Sequence, residues 1–222
     1  MREFTENDLR EMVLRLAHQI RNPLATIKSG IQLVQHLLDA DGEIKEYLGA
    51  ALVEVERINR TVVDMQRMIR LDAATAKARP VADVVSEALE RCAGQAEASS
   101  ITLENRGGPP SMVLADSSQL LEAVAELLCN AIEFSPAGSR VRIGWTTAGD
   151  HLVRIDVSDS CGGIPPSAAE RILRPFYSTS TRRTGLGLNI VQRICELGGG
   201  RLEWKNLSDR SGCQFSVVMP KV

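Results

Sequence analysis

Three polar side chains, Glu126, Asn130 and Glu133, recur at steps of four and three residues in the segment ELLCNAIEFSPAG. Such steps place side chains on one face of a helix, and the opposite face here is apolar. Carboxylate and amide oxygens are the ligands that Mg²⁺ prefers, usually in company with phosphate. The pattern therefore predicts either a magnesium site or an ordinary polar helix face in contact with water.

A further candidate is the carboxylate of Asp159, which ends an apolar strand pattern and precedes the turn sequence SCGG. This carboxylate could accept a hydrogen bond from an exocyclic amine, and the glycines would let the backbone approach a flat ligand. A plain junction between a strand and a turn fits the same residues.

Gly185 and Gly187 begin a helical pattern in TGLGLNIVQRI. A glycine-rich helix start offers free backbone N–H groups and the positive end of the helix dipole, which together favour phosphate. The preceding segment, RILRPFYSTSTRR, is polar and basic and could fold over a nucleotide as a lid. The three clusters together predict a nucleotide site within residues 126–188.

His18 is the candidate nucleophile, and it lies between the apolar residues Leu16 and Ile20. A step of two residues turns a helical side chain by about 200°, so His18 is predicted to point away from the apolar stripe. Pro23 follows and predicts a local bend of the helix. An ordinary surface histidine fits the same pattern. The neighbours at helical steps are polar: Glu11, Arg15 and Asn22.

The elements that must position these groups fall into two parts. Residues 5–39 and 44–69 each carry an apolar seam at alternating steps of three and four, with a turn at Gly42 between them. Two antiparallel helices with one seam each do not close a core, so we expect two copies to pair as a four-helix bundle, which makes a homodimer. The first seam comprises Leu9, Val13, Leu16, Ile20, Leu24, Ile27, Ile31, Val34 and Leu38.

The remainder of the chain mixes helical and strand periods. The stretch DAATAKARP, residues 72–80, is small and polar and is interpreted as a linker. Helices are predicted at 81–98, at 117–134 with Asp116 or Ser117 as cap, and at 185–199. Strands are predicted at 101–107, 112–116, 201–206 and 213–220, and a hairpin at 141–160. The predicted fold class is α+β, with a helical hairpin over 1–75 followed by an α/β sandwich of helices on one mixed sheet over 76–222.

Composition narrows the function classes. Hydrophobic residues make up 44% of the chain and the net charge is -2, so no nucleic-acid or anionic-membrane partner is expected. No apolar run approaches the roughly 18 residues of a transmembrane helix, and the charged N-terminus has no signal-peptide core, which predicts a soluble, cytoplasmic chain whose parent could still be membrane-tethered. The five cysteines are odd in number and form no CxxC pair, which argues against a disulfide framework or a zinc site.

In its motifs and their order the chain resembles the sensor histidine kinases of bacterial two-component systems. HQIRNPLATIKSGIQLV resembles the phospho-acceptor motif, and ELLCNAIEFSP the asparagine motif. DSCGGI resembles the first glycine motif, RPFYSTS the phenylalanine motif, and TGLGLNIV the second glycine motif. The resemblance implies a dimerisation and phosphotransfer hairpin, followed by an ATP-binding domain of the gyrase and heat-shock-chaperone type.

The resemblance also implies roles for individual residues. His18 would be phosphorylated from ATP and would pass the phosphoryl group to an aspartate of a response regulator receiver domain. Asn22 would orient a water if the protein dephosphorylates that partner. Mg²⁺ would be held by Asn130 with Glu126 beside it, and the adenine amine by Asp159. The remaining nucleotide contacts would be Gly163, Phe176, Thr184, Gly185, Leu186, Gly187 and Leu188.

Four positions depart from the family pattern. Gln19 replaces an acid that would orient the imidazole and take its proton; because general base catalysis is worth about 10²–10⁴-fold, slow autophosphorylation is expected. Glu133 replaces a frequent lysine, and Cys161 replaces a glycine and brings a thiol to the nucleotide site. Arg183 replaces another glycine, and it or Arg182 could contact phosphate.

Two alternatives to an active kinase remain open. The first is a signalling scaffold that binds nucleotide and partner but transfers little phosphate, which Gln19, Glu133 and Cys161 favour. The second is a gyrase-type ATPase used for conformational work, which the hairpin carrying His18 disfavours. Stable phosphate on His18 distinguishes the kinase from both.

Overall fold

The structure is a computed structural model that describes residues 6–37, 42–72, 76–180, 183–207 and 211–222. Within the first two of these ranges, the side chains of residues 6–12, 15, 37, 42 and 43 are not described. The chain divides into two compact units. One unit combines Met1–Arg70 with Phe176–Leu186, and the other combines Leu71–Pro175 with Gly187–Val222.

The first unit is built on a hairpin of two long helices, α1 (Glu6–Leu37) and α2 (Gly42–Arg70). The predicted turn at Gly42 coincides with the first residue of α2, while residues 38–41 lie outside the described ranges. Polar links between the described parts of the helices include Arg21 Nη2, which donates to Gln66 Oε1 at 2.6 Å, and the ion pair of Lys28 with Glu56. The buried contacts between the helices come from small and branched residues: Ala17, Leu24, Val55 and Val62.

The predicted first seam is divided between two faces of α1. Leu24 is buried in the hairpin, whereas Leu16 and Ile27 remain 53% and 50% exposed. Only part of the predicted seam therefore packs within the hairpin. The exposed apolar side chains of the hairpin are Leu16, Ile20, Ile27, Leu33, Val34, Ile44, Tyr47, Val53 and Ile58. Leu9 and Leu38 lie outside the described side chains.

The second unit is an α+β sandwich around a five-stranded mixed sheet with the order β2-β4-β5-β7-β6. Only the β2–β4 pair is parallel among the pairs of this sheet. The strands are β2 (Thr102–Gly107), β4 (Arg140–Thr147), β5 (Leu152–Ser158), β6 (Arg201–Asn206) and β7 (Cys213–Pro220). The helices are α3 (Val81–Ala98), α4 (Ser117–Phe134), the short α5 (Pro166–Ala169) and α6 (Gly187–Leu197).

The core of this unit lies between the sheet and helices α3, α4 and α6. Burial alternates along β4 and β5, so that one side chain in two faces the helices, as a strand with a single buried face requires. The α4 face that meets the sheet is apolar and includes the fully buried Leu120, Leu127, Leu128 and Ile132. The fold class predicted from the sequence is confirmed for the helical hairpin and for the mixed sheet with its helices.

The linker interpretation of residues 72–80 is wrong for its last four residues. Lys77–Pro80 form strand β1, which pairs antiparallel with β3 (Met112–Ala115) in a separate two-stranded sheet. Proline is compatible with this place because a strand with one neighbour does not need every N–H for pairing. Residues 73–75 of the predicted linker lie outside the described ranges.

Among the described residues, no helix is both long and apolar enough to cross a membrane.

Candidate functional site

Asp159 lies one residue beyond the end of β5, opposite the first residue of β7. Its Oδ1 accepts hydrogen bonds from the backbone N–H groups of Cys161 at 3.0 Å and Cys213 at 2.9 Å. Its Oδ2 lies 2.9 Å from the Cys213 thiol, and the residue is only 6% exposed. The backbone therefore fixes one carboxylate oxygen, while the other meets only a weak thiol donor and can accept from a stronger one.

The turn after Asp159 requires glycine. Gly162 and Gly163 have φ angles of +80° and +85°, in the left-handed region that side chains disfavour. Asn206, at the end of β6, holds this turn from the other side: its Oδ1 accepts from Ile164 N at 2.7 Å and its Nδ2 donates to Ile164 O at 2.9 Å. The predicted residue Gly163 therefore lies in a rigid turn a few residues from the Asp159 carboxylate.

The polar face of α4 is positioned by a helix whose N-terminus is capped by a side chain. Asp116 is the N-cap, because Oδ1 accepts from Ser118 N and Gln119 N at 2.9 Å each. The hydrogen bond from the Ser118 hydroxyl, followed by those from the backbone, lowers the pKa of the Asp116 carboxyl. Asn130 and Glu126 are half-buried on this face, on the side of the helix away from the apolar core.

The start of α6 lies directly against this polar face. A Cβ added to Gly187 would stand 3.1 Å from Glu126 Oε2 and 3.7 Å from Asn130 Nδ2. The two oxygen-bearing side chains thus meet the N-terminus of an eleven-residue helix, where backbone N–H groups are free for an anion. This arrangement suits a phosphate with a hard cation, and a side chain at position 187 would fill the space.

The end of α4 and the Asp159 turn are also linked to each other. Ser160 N donates to the hydroxyl of Ser135, the residue that follows α4, at 3.2 Å. Asn189, in the first turn of α6, is buried and donates to Leu173 O at 2.8 Å, upstream of the phenylalanine motif. The second unit therefore brings together the candidate residues Asn130, Glu126, Asp159, Gly163, Gly187 and Leu188 on one connected set of elements.

The remaining candidates of the glycine and phenylalanine motifs belong to the first unit. Phe176 has a φ of 64°, which is uncommon for a side chain of its size, and it is 59% exposed. Its N–H donates to Gly185 O at 3.2 Å, and a Cβ at Gly185 would stand 2.6 Å from the carbonyl carbon of Phe176. The two motifs are therefore in direct backbone contact.

Thr184 connects this segment to α2. Its hydroxyl donates to Asp64 Oδ2 at 2.7 Å, and the same carboxylate pairs with Arg67 at 3.1 Å. Leu186 N in turn lies 3.3 Å from the Thr184 hydroxyl, and the Leu186 side chain is buried. Arg183 is half-buried, and Arg182 lies outside the described residues.

His18, Gln19 and Asn22 are all exposed on α1. The neighbouring Ala17 is only 5% exposed against α2, so the histidine occupies a solvent face of the hairpin. Helix α1 continues through Pro23, which has no N–H to donate to the carbonyl four residues earlier, that of Gln19. The side chains of Glu11 and Arg15 lie outside the described ones, and the local bend stays a prediction.

Sequence reasoning missed one cluster at this site. Cys161 Sγ and Cys213 Sγ are 3.7 Å apart, beside the Asp159 carboxylate. The hydrogen bond with the Cys161 thiol, burial and the negative charge of Asp159 raise the pKa of the Cys213 thiol. Spacing along the chain could not reveal this cluster, because only the antiparallel pairing of β5 with β7 brings the two cysteines together.

Two domain families match consecutive parts of the chain. Residues 8–74 match the His Kinase A (phospho-acceptor) domain, and residues 115–222 match the histidine kinase-, DNA gyrase B- and HSP90-like ATPase. The chain therefore belongs to the sensor histidine kinases of two-component systems.

Similar proteins of known name agree with this family. Sensor histidine kinase ZraS of Salmonella typhi is 29% identical over 208 residues, covering 93% of this chain and 44% of that protein. Sporulation kinase C of Bacillus subtilis is 28% identical over 212 residues, covering 95% of this chain and 48% of that protein. The chain thus spans less than half the length of these curated relatives.

Solved structures share the fold. The mycobacterial sensor histidine kinase MprB aligns with a TM-score of 0.58 at 27% identity, covering 66% of this chain and 97% of that one. Full-length ShkA in complex with AMPPNP aligns with a TM-score of 0.71 at 24% identity, covering 96% of this chain and 46% of that one. Histidine kinase ThkA in complex with response regulator protein TrrA aligns with a TM-score of 0.70 at 24% identity, covering 96% of this chain and 61% of that one.

Proposed function

We propose that this chain uses ATP and Mg²⁺ to phosphorylate His18 and then passes the phosphoryl group to an aspartate of a response regulator receiver domain. The observation that carries the proposal is the contact between the Glu126 and Asn130 face of α4 and the N-terminus of α6 at Gly187. Oxygen ligands for a cation and free N–H groups for an anion meet there, as a bound nucleotide with its metal requires.

Within the nucleotide site, each group has a distinct proposed task. Asn130 would bind the metal with Glu126 beside it, and the bound Mg²⁺ would neutralise phosphate charge. Asp159 Oδ2 would accept from the adenine amine, while Oδ1 keeps the turn in place. Gly163 and Gly187 would leave room for the base and the phosphates, with Leu188 following in α6. Phe176, Thr184, Gly185 and Leu186 would complete the lid.

The transfer itself would take place at the imidazole of His18. A neutral imidazole nitrogen attacks the γ-phosphorus, the nitrogen–phosphorus bond forms, and the bond to the bridging oxygen breaks to release ADP. The other ring nitrogen loses its proton to the surrounding water, because the Gln19 amide has no basic site to receive it. In the second step the receiver aspartate carboxylate attacks the phosphorus, the nitrogen–phosphorus bond breaks, and the leaving imidazole takes one proton back from water.

The exposed apolar surface of the hairpin supports a homodimer as part of the proposal. Leu16, Ile20, Ile27 and Val34 are exposed at steps of four and seven along α1, which is the spacing of a coiled-coil seam. Fully burying an exposed Leu, Ile or Val side chain contributes about 1.5–3 kcal/mol, and because these side chains are 37–53% exposed, burying the rest would contribute roughly half of that each to pairing of two hairpins. We infer a phosphotransfer hairpin over residues 1–75 and a nucleotide-binding domain over 76–222.

Two further roles belong to the proposal. Asn22 is exposed four residues after His18, where its amide could orient a water for dephosphorylation of the regulator. None of the five cysteines is in a disulfide, as a reducing compartment favours, and ATP and receiver proteins are cytoplasmic, so we infer that the chain acts in the cytoplasm.

A catalytically weak scaffold is the second candidate function, and one observation favours it. Gln19 is exposed beside His18 and supplies no base, so the nucleotide site could bind ATP without efficient transfer. The two functions differ in one measurable quantity, the amount of phosphate that becomes bound to His18.

The test is incubation with γ-labelled ATP and Mg²⁺ of the parent chain, His18→Ala and His36→Ala. His36 is a matched control, since it is an exposed histidine on the same helix. Acid-labile label on the parent and on His36→Ala, absent from His18→Ala, is expected. Measurable ATP binding without label would contradict the kinase and favour the scaffold, and label that persists in His18→Ala would refute the role of His18.

A further inference from the structure

The cluster of Asp159, Cys161 and Cys213 has the composition of a metal site. One carboxylate oxygen and two sulfurs, one from each residue, lie within 4.8 Å of one another. Among the described residues, these three form the only such group of possible ligands. Thiolate sulfur selects soft or borderline cations, whereas Mg²⁺ prefers oxygen, so a cation bound here would differ from the magnesium of the nucleotide site.

The separation of the two sulfurs matches tetrahedral coordination of one shared ion. Two thiolates bound to zinc at about 2.3 Å each lie roughly 3.8 Å apart at the tetrahedral angle. The two sulfurs here are 3.7 Å apart. A disulfide would require about 2.05 Å, so the sulfurs would have to approach much further for a covalent bond than for a shared ion.

The carboxylate faces the cluster, and Oδ2 would have to move roughly 0.6 Å away from Cys213 Sγ, because a tetrahedral zinc separates its sulfur and oxygen ligands by about 3.5 Å. Backbone N–H groups hold Asp159 Oδ1, and Oδ2 points at the Cys213 thiol at 2.9 Å. That thiol proton occupies the place where a cation would bridge the two atoms. Cys161 is half-buried while Cys213 is only 2% exposed, so an ion would reach the cluster from the Cys161 side.

We propose that Asp159, Cys161 and Cys213 bind a thiophilic divalent cation of the zinc class, and that this ion excludes ATP. Binding releases both thiol protons to solvent, so a +2 cation is held by two thiolates and one carboxylate with a net charge of −1. The fourth position stays open to solvent. The exclusion step rests on the proposed function, because the ion takes the Asp159 oxygen that the adenine amine would use.

The chain contains a matched comparison for this cluster. Cys92 and Cys129 also bring their sulfurs to 3.7 Å, but the third group near Cys92 is the carbonyl of Ala125. That pair has the same sulfur separation without the carboxylate. Cys129→Ser therefore changes the number of thiols without touching the proposed ligands.

The first measurement is titration of the reduced chain with Co²⁺, followed by displacement with Zn²⁺. Thiolate-to-metal absorbance bands are expected in the parent and in Cys129→Ser, and their loss in Cys161→Ser and Cys213→Ser. Cys161→Ser decides the result if Cys213→Ser fails to fold, because Cys161 is half-buried. Absent bands in the folded parent, or bands that persist in Cys161→Ser, would overturn the site.

The second measurement is binding of a fluorescent ATP analogue, with Mg²⁺ in excess, at increasing Zn²⁺. At a zinc concentration ten times its own dissociation constant, mutually exclusive binding weakens the apparent affinity for nucleotide about tenfold. The effect should vanish in Cys161→Ser, which also controls for zinc bound by the nucleotide itself. Zinc binding that leaves the affinity unchanged would refute exclusion. If the parent chain does not bind the ATP analogue even in the absence of zinc, the proposed nucleotide site is refuted. The cobalt spectrum then still tests the metal site.

Discussion

The replacement Asp159→Asn tests the proposed adenine contact without disturbing the fold. In the structure Oδ1 accepts from the N–H groups of Cys161 and Cys213, and an asparagine oxygen in the same place accepts from both. The amide NH₂ then replaces Oδ2 and can donate to the Cys213 sulfur, 2.9 Å from the present oxygen. The turn should therefore be retained, while the acceptor proposed for the adenine amine becomes a donor.

The expected loss follows from the kind of hydrogen bond removed. A hydrogen bond to a charged group contributes about 1.5–3 kcal/mol, which corresponds to roughly 10- to 150-fold in the dissociation constant for ATP. Isothermal titration of the parent and Asp159→Asn with ATP and Mg²⁺ measures this ratio. The thermal unfolding midpoint, measured without nucleotide, should change little.

Asp159→Ala is the contrasting variant, because it removes both oxygens. The buried N–H groups of Cys161 and Cys213 then lose their acceptor, at a cost of about 1–3 kcal/mol each, so the unfolding midpoint should fall as well. An affinity of Asp159→Asn within about threefold of the parent, with an unchanged midpoint, would refute the role given to this carboxylate. A midpoint of Asp159→Asn as low as that of Asp159→Ala would refute the separation of the two oxygens.

Three further outcomes are expected. Gln19→Glu should accelerate autophosphorylation by about 10²–10⁴-fold in a single-turnover assay, and an unchanged rate would exclude a missing base as the cause of slow transfer. Asp116→Ala should lower the free energy of unfolding by about 1 kcal/mol and the thermal unfolding midpoint by roughly 2–4 °C. Asp116→Asn should change neither, because asparagine also caps a helix. Because the cap lowers the pKa of Asp116 in the folded chain, its contribution is present at neutral pH and lost as the pH falls through that pKa, so the parent and Asp116→Ala should converge in acid. Gly185→Ala should weaken ATP binding more than Gly138→Ala, because both glycines have positive φ but only a Cβ at Gly185 overlaps the backbone of Phe176; equal effects would contradict this.

Local patterns carried enough information for most elements of the second unit. The helices predicted at 81–98 and 117–134 have those bounds in the structure, because an apolar face and, for α4, an N-cap mark their ends within the sequence itself. The hairpin of β4 and β5 was predictable for a similar reason, since alternation and a glycine turn are properties of neighbouring residues.

Features that depend on contacts between residues far apart in the chain could not be predicted from local sequence patterns. Strand β1 exists only because β3, more than thirty positions along the chain, pairs with it; its own composition indicates a linker. Cys161 and Cys213 meet because β5 and β7 are neighbours in the sheet, which no motif in either segment states. The heptad pattern predicted an apolar surface on α1 but did not say which part of it the second helix covers.

The chain leaves the sheet at Asp159 and returns to it with β6 and then β7, whose first residue, Cys213, accepts at its O from Asp159 N at 3.0 Å. The segment between β5 and β6, which includes α5 and α6, is therefore an excursion whose two ends are held by strands of the same sheet. The entropy cost of closing such an excursion grows only with the logarithm of its length. Insertions and deletions within it need not disturb the pairing of β5 with β7, so evolution can lengthen or shorten the phenylalanine segment while keeping the sheet and the Asp159 carboxylate in place.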